Sequence, residues 1–172
     1  GTLVVAEDSS SPAYKTAAAG STNVLVGVYK FTATNEDIDV SRVALEMSGT
    51  SATSSPANIT LVTLKNSTGT TLGTTVFTGT SRFATSTLTA DFIVPKNGDA
   101  RLYAYVDLAD IGTGKATSTS GILVQVARDG NASTGTQGIG AASGTAINAT
   151  GAIGSSYFLS INFTSNNSEI SQ

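Results

Sequence analysis

Apolar and polar residues alternate with period two along most of this chain, and clusters of Gly, Asn, Asp, Ser and Pro interrupt them about every ten positions. That rhythm predicts short strands joined by turns. The opening GTLVVAEDSSSP places an apolar strand, Leu3-Val4-Val5, ahead of two acids and a serine run. NVLVGVYKFTAT from Asn23 is almost continuously apolar, as in a strand at the centre of a sandwich. After a connecting turn from Ala33 to Asp37, IDVSRVALEMSG alternates through Ile38, Val40, Val43, Leu45 and Met47, and its one-residue slip between Val40 and Val43 predicts a bulge. NITLVTLKN predicts a strand with Ile59, Leu61 and Leu64 inward, and NSTGTT turns it into the short strand TLGTTVF. STLTADFIVP, KNGD and ARLYAYVDL read as strand, Asn97-Gly98 turn and strand, with Pro95 closing the first of the two. Beyond the loop ADIGTGKATSTS, GILVQVARDGN carries Ile122, Val124 and Val126 on one face. Residues 132 to 155 hold few large side chains apart from Ile139 and Ile147 and predict a loop or weak edge strand. SSYFLSINFTS then places Tyr157, Leu159, Ile161 and Phe163 on one face. About eight or nine strands and no helix result.

Alternating rather than continuous apolar runs favour two antiparallel sheets packed face to face, an immunoglobulin-like β-sandwich in a single domain, with a jelly roll as the alternative. At 172 residues the chain can bury a sizeable core. An antibody-type domain is excluded, because there is neither Cys nor Trp.

Composition removes most chemistry. Without Cys or His the chain cannot form a disulfide, a thiolate or imidazole metal site, or a Ser-His or Cys-His nucleophile pair. A net charge of −3 without any basic cluster argues against nucleic acid as a partner. No apolar stretch reaches the length of a membrane helix, so membrane insertion is not expected. GTGKAT at Gly112 lacks the earlier glycine and the Ser or Thr of a phosphate loop, and GIGAASG at Gly138 lacks a strand-to-helix setting. No catalytic residue is assigned, and the expectation is a non-enzyme. Low charge and a Ser/Thr/Asn-rich surface suggest an extracellular home. The initial Gly, in place of Met, fits a mature form from which a signal peptide was removed, an expression scar being the alternative.

Two sets of side chains remain. Asn-X-Ser/Thr sequons fall at Asn58, Asn66, Asn131, Asn148, Asn162 and Asn166; Asn66 and Asn131, in turns, are the preferred glycan acceptors. Acids at Glu36, Asp37 and Asp39, and at Asp107 and Asp110, offer oxygen ligands for calcium if two groups meet at one end of a sandwich, but no calcium-loop spacing is present and solvated turns are the plainer reading. No other cofactor is expected.

The segments DSSSP, AAAGSTNVLVGVYKFTATNEDIDVSRVALEMSG, NITLVTLKN, ADFIVPKNGDARLYAYVDLAD and GTAINATG resemble the β-sandwich modules found, often in tandem, in secreted surface proteins of candidate-phylum bacteria. The resemblance runs from about Asp8 to Gly151 and implies a surface location without implying an activity. It divides the chain into an N-terminal strand at residues 1–7, a sandwich at 8–151 and a C-terminal strand and tail at 152–172. In a tandem protein TLVVAE would continue from the preceding module. A module standing alone is then expected to expose a groove that a neighbouring copy fills with Thr2, Leu3, Val4, Val5 and Ala6, by analogy with donor-strand complementation in pili. Repeated head to tail, that contact makes a filament of copies of the chain, with glycans or other surfaces as further partners. The strand bearing Tyr157, Leu159, Ile161 and Phe163 is the other candidate for exchange. The plainer alternative has Thr2–Ala6 fold back as the ordinary first strand of its own sandwich; a carbohydrate-binding or adhesin module of a larger surface protein is the alternative function.

Overall fold

A computed structural model of the protein describes residues 1–12, 17–47, 56–113, 124–127 and 135–150, the side chains of 124–127 excepted. These residues form β1 (Thr2–Glu7), β2 (Val24–Thr34), β3 (Ile38–Met47), β4 (Ile59–Lys65), β5 (Thr71–Thr75), β6 (Phe83–Thr87), β7 (Ile93–Val94), β8 (Asp99–Leu108), β9 (Val124–Ala127), β10 (Gln137–Gly140) and β11 (Ala146–Thr150). The strands join in the order β5-β4-β8-β2-β1-β11-β10-β3-β6, with β7 and β9 also paired to β3. At the two ends of that order, β5 and β6 face each other. Thr75 Oγ1 donates to the Thr85 carbonyl at 3.0 Å and Ser86 Oγ to the Thr74 carbonyl at 3.1 Å. Side-chain hydroxyls thus nearly close the sheet into a barrel-like sandwich and cover the edges that would otherwise recruit another chain. The all-β sandwich expected from the alternation is the fold that forms. One strand pairing departs from an antiparallel design: β1 runs parallel to β11.

Bulges keep the apolar residues inward. In β2 the register shifts between Leu25 and Gly27, so the core side chains change parity from Val24 and Val26 to Tyr29, Phe31 and Ala33. In β3 the shift opposite Gln137 and Gly138 leaves Ser41 without a register partner on β10 and moves the inward set from Ile38 and Val40 to Val43, Leu45 and Met47, at the slip read from the sequence. A third shift, between Ile59 and Leu61, brings Ile59, Val62 and Leu64 into the core. Leu61, expected inward, is therefore only half-buried. One extra residue reverses which face every later side chain meets.

The Asn97-Gly98 turn is present but does not make the expected hairpin. Only Asn97 has positive φ, at 56°, and Gly98 N–H donates to the Pro95 carbonyl at 2.9 Å. Positive φ at the third residue alone marks a type II turn, whose twist does not match a two-stranded ribbon. The chain instead changes sheets here: β7 pairs with β3, whereas β8 lies between β2 and β4. Phe92, just before β7, meets Phe31 edge to face at 5.3 Å and so packs the crossing into the core.

Residues 135–150, expected as loop or weak edge, hold the β10–β11 hairpin, and β11 is interior. Small side chains make this possible. A Cβ at Gly138 would lie 2.5 Å from Ile38 Cγ2 and 2.9 Å from the Asp39 carbonyl oxygen, so only glycine lets β10 approach β3 this closely.

Candidate functional site

β1 carries Thr2 to Ala6, the segment expected to be exchanged between copies. It fills a slot between β2, paired from Thr2↔Thr34 to Glu7↔Tyr29, and β11, paired at Leu3↔Ala149 and Val4↔Thr150. Leu3 and Val5 are fully buried in the chain's own core, while Thr2 and Val4 face outward. At the start of the strand the Thr2 and Thr34 hydroxyls hydrogen bond to each other. The expected open groove is therefore not found: the chain completes its own sheet, as the plainer alternative had it. The physical reason is the strand's alternation, which offers two large apolar side chains to a core that lacks them. The second exchange candidate, Tyr157, Leu159, Ile161 and Phe163, lies outside the described residues.

The link that follows β1 continues along the same edge of β2. Asp8 N–H donates to the Val28 carbonyl at 2.9 Å, and Ser11 Oγ both donates to that carbonyl at 2.7 Å and accepts from Val28 N–H at 2.8 Å. Asp8 Oδ1 accepts from the Ser10 N–H and hydroxyl, and Oδ2 accepts from Arg101 Nε at 2.8 Å. Those Ser10 hydrogen bonds, supported by Arg101, hold the Asp8 carboxyl below its ordinary value. Glu7 stands in the opposite condition. Its Oε1 is buried without a hydrogen-bond partner among the described residues, and burial pushes its carboxyl up to about 7, with Ser11 opposing the rise.

The acids proposed for calcium do structural work. Glu36 is buried and takes the Gly1 ammonium at 2.9 Å, the Ala142 and Ser143 N–H groups at 3.0 and 2.8 Å, and the Ser143 hydroxyl at 3.0 Å. These donors, the ammonium first, hold its carboxyl at about 2. Asp37 Oδ1 accepts from Lys96 N–H at 2.6 Å and Asp39 Oδ1 from Phe92 N–H at 3.4 Å. Asp107 Oδ1 accepts from Asn23 N–H at 2.9 Å. Asp107 and Asp110 line one open cleft of about 400 Å³ with Gly20 and Thr60. Among the described residues no group of three or more acids gathers around a common point.

Among the sequons, Asn58 is buried and closed to a glycan. Asn148 is half-buried in β11 and its Oδ1 accepts from Gln137 Nε2 at 2.8 Å. Asn66 sits in the β4–β5 turn, where its Oδ1 accepts from Thr68 N–H, the Thr68 hydroxyl and Thr70 N–H. Asn131, Asn162 and Asn166 fall outside the described residues.

A second cleft, of about 320 Å³, went unseen in the sequence. Asn66 and Ser67 of the β4–β5 turn, Asp91, Ile93 and Pro95, and Asp99 and Arg101 are among the residues that line it. Arg101 is fixed there by two carboxylates, Asp8 at 2.8 Å and Asp99 at 3.0 Å. The sequence does not reveal it, because Asn66 and Ser67 reach the stretch from Asp91 to Arg101 only through the pairing of β4 with β8.

No protein-family model matches this chain, and no curated protein matches it either. Among the described residues no helix is long and apolar enough to cross a membrane.

Proposed function

We propose that this chain is a structural unit of an extracellular filament, joined to copies of itself by exchange of β1. What supports this reading is the position of that strand: the first strand in order occupies an interior slot of the sheet, yet it reaches the other described strands only through the link from Asp8 to Asn23. Removing β1 uncovers the pockets of Leu3 and Val5, about 1.5–3 kcal/mol each, and leaves the facing edges of β2 and β11 unpaired. An identical strand from a neighbour restores every one of those contacts. Exchange thus replaces like with like, and concentration sets the balance between closed units and a chain of copies. The proposal differs from simple donor-strand complementation, because each copy can also supply the strand to itself.

The test uses the absence of native cysteine. Val4 and Thr32 are register partners across β1 and β2. In the doubly substituted protein, Val4→Cys with Thr32→Cys, oxidation of closed units yields monomers with an internal crosslink. Oxidation of exchanged units yields a ladder of covalently joined copies on a non-reducing gel, accompanied by filaments in electron micrographs. Monomer alone at every protein concentration overturns the exchange.

A further inference from the structure

We propose that the cleft between the β4–β5 turn and the start of β8 is a binding subsite for one neutral sugar residue of a glycan. The inference stands on the cleft's own geometry and not on strand exchange. Its volume of about 320 Å³ lies at the small end of the range for small-molecule sites, which suits a single ring whose neighbours continue into solvent.

The polar groups are of the kinds that sugar hydroxyls require. Asp91 is exposed, and its carboxylate has no hydrogen-bond partner among the described residues, which leaves two oxygens free to accept from adjacent hydroxyls. Arg101 commits Nε to Asp8 and one terminal nitrogen to Asp99, so its plane is held while further N–H groups stay available as donors. Asn66 has its Oδ1 fully engaged by the turn, which fixes its amide and leaves the NH2 to donate. Donors and an acceptor from three segments therefore line one cleft, with Asn66 and Arg101 anchored by their own hydrogen bonds.

Charge and apolar surface narrow the class. Asp8 and Asp99 together offset the Arg101 guanidinium, and Asp91 adds a negative charge, so the cleft disfavours phosphate, sulfate and uronate groups. Ile93, 54% exposed, and Pro95 form an apolar wall beside these groups. The C–H face of a pyranose buries against such a wall while its hydroxyls turn to Asp91 and Arg101.

The test is a titration of the 15N-labelled protein with methyl glycosides of glucose, galactose, mannose and N-acetylglucosamine, followed by amide chemical shifts. At least one glycoside is expected to give saturable shifts centred on Ser67, Ile93 and Arg101. Asp91→Ala, at an exposed position, is expected to weaken that binding at least tenfold with the remaining spectrum unchanged. Asp110→Ala, in the other cleft, leaves it intact. The proposal is overturned if no glycoside gives saturable shifts, if the shifts centre elsewhere, if Asp91→Ala binds as tightly as the parent, or if galactose 6-sulfate or lysine methyl ester binds in preference.

Discussion

Replacing Glu7 with Gln should raise stability above neutral pH and leave it nearly unchanged in mild acid. Glu7 ends β1 opposite Tyr29, and its Oε1 is buried without a partner among the described residues. The carboxyl titrates near 7 when folded and near its ordinary 4.5 when unfolded, so the folded state binds the proton more tightly. Folding stability attributable to this group is full below pH 4.5 and is lost as pH rises through 7. The shift sets an upper limit of about 3 kcal/mol, and water reaching the half-buried side chain reduces the expected loss to about 1–2 kcal/mol. Gln keeps the shape without the charge, so its curve should lack this descent. Urea unfolding followed by circular dichroism at pH values from roughly 5 to 8 measures both proteins. Parallel profiles, or a Gln variant less stable at pH 8 than the parent, would refute the assignment of a carboxylate with a buried, unpartnered oxygen at the end of β1.

Further outcomes follow from the same geometry. Leu3→Ala should cost about 2–5 kcal/mol in chemical denaturation, because the side chain is fully buried between β2 and β11; a loss below 1 kcal/mol would mean that β1 is not seated in the core. Gly138→Val should destabilise by about 1–3 kcal/mol or more, since its Cβ alone would lie 2.5 Å from Ile38 Cγ2; thermal melts detect this. Glu36 is held at about 2 against an ordinary 4.5, so its stabilisation is complete above the higher value and disappears as pH falls toward the lower. Glu36→Gln should accordingly flatten the acid limb of a stability–pH curve, and an unchanged acid limb would show that the Gly1 and Ser143 contacts do not hold the carboxylate.

Period-two alternation was enough to establish an all-β chain and to locate β2, β3, β4 and β8, because half-buried strands write their two faces directly into the residue order. The bulge in β3 was legible for the same reason: a slip between Val40 and Val43 is the only way to keep both inward. Turn chemistry was only half legible. Asn97 adopts positive φ as its residue type suggests, yet whether Pro95–Gly98 closes a hairpin or carries the chain into the other sheet depends on which strands are already paired. Residues 132 to 155 read only as loop or weak edge strand, because a sequence shows what a side chain buries and not how closely two backbones approach; Gly138 serves that approach.

The candidate sites divide along the same line. The sequence by itself determined that this chain holds no thiol or imidazole, that Leu3 and Val5 need a core, and that Asn66 lies in a turn, since each statement concerns residue type or local order. Only the tertiary structure decided that β1 is seated between β2 and β11 of its own sheet, that Glu36 is enclosed by donors from a distant hairpin, and that Asn66, Asp91 and Arg101 border one cleft. Strand pairing joins residues far apart in sequence through backbone hydrogen bonds that are alike at every position. The order of strands, and every site built across it, is therefore settled by the packing of the whole core.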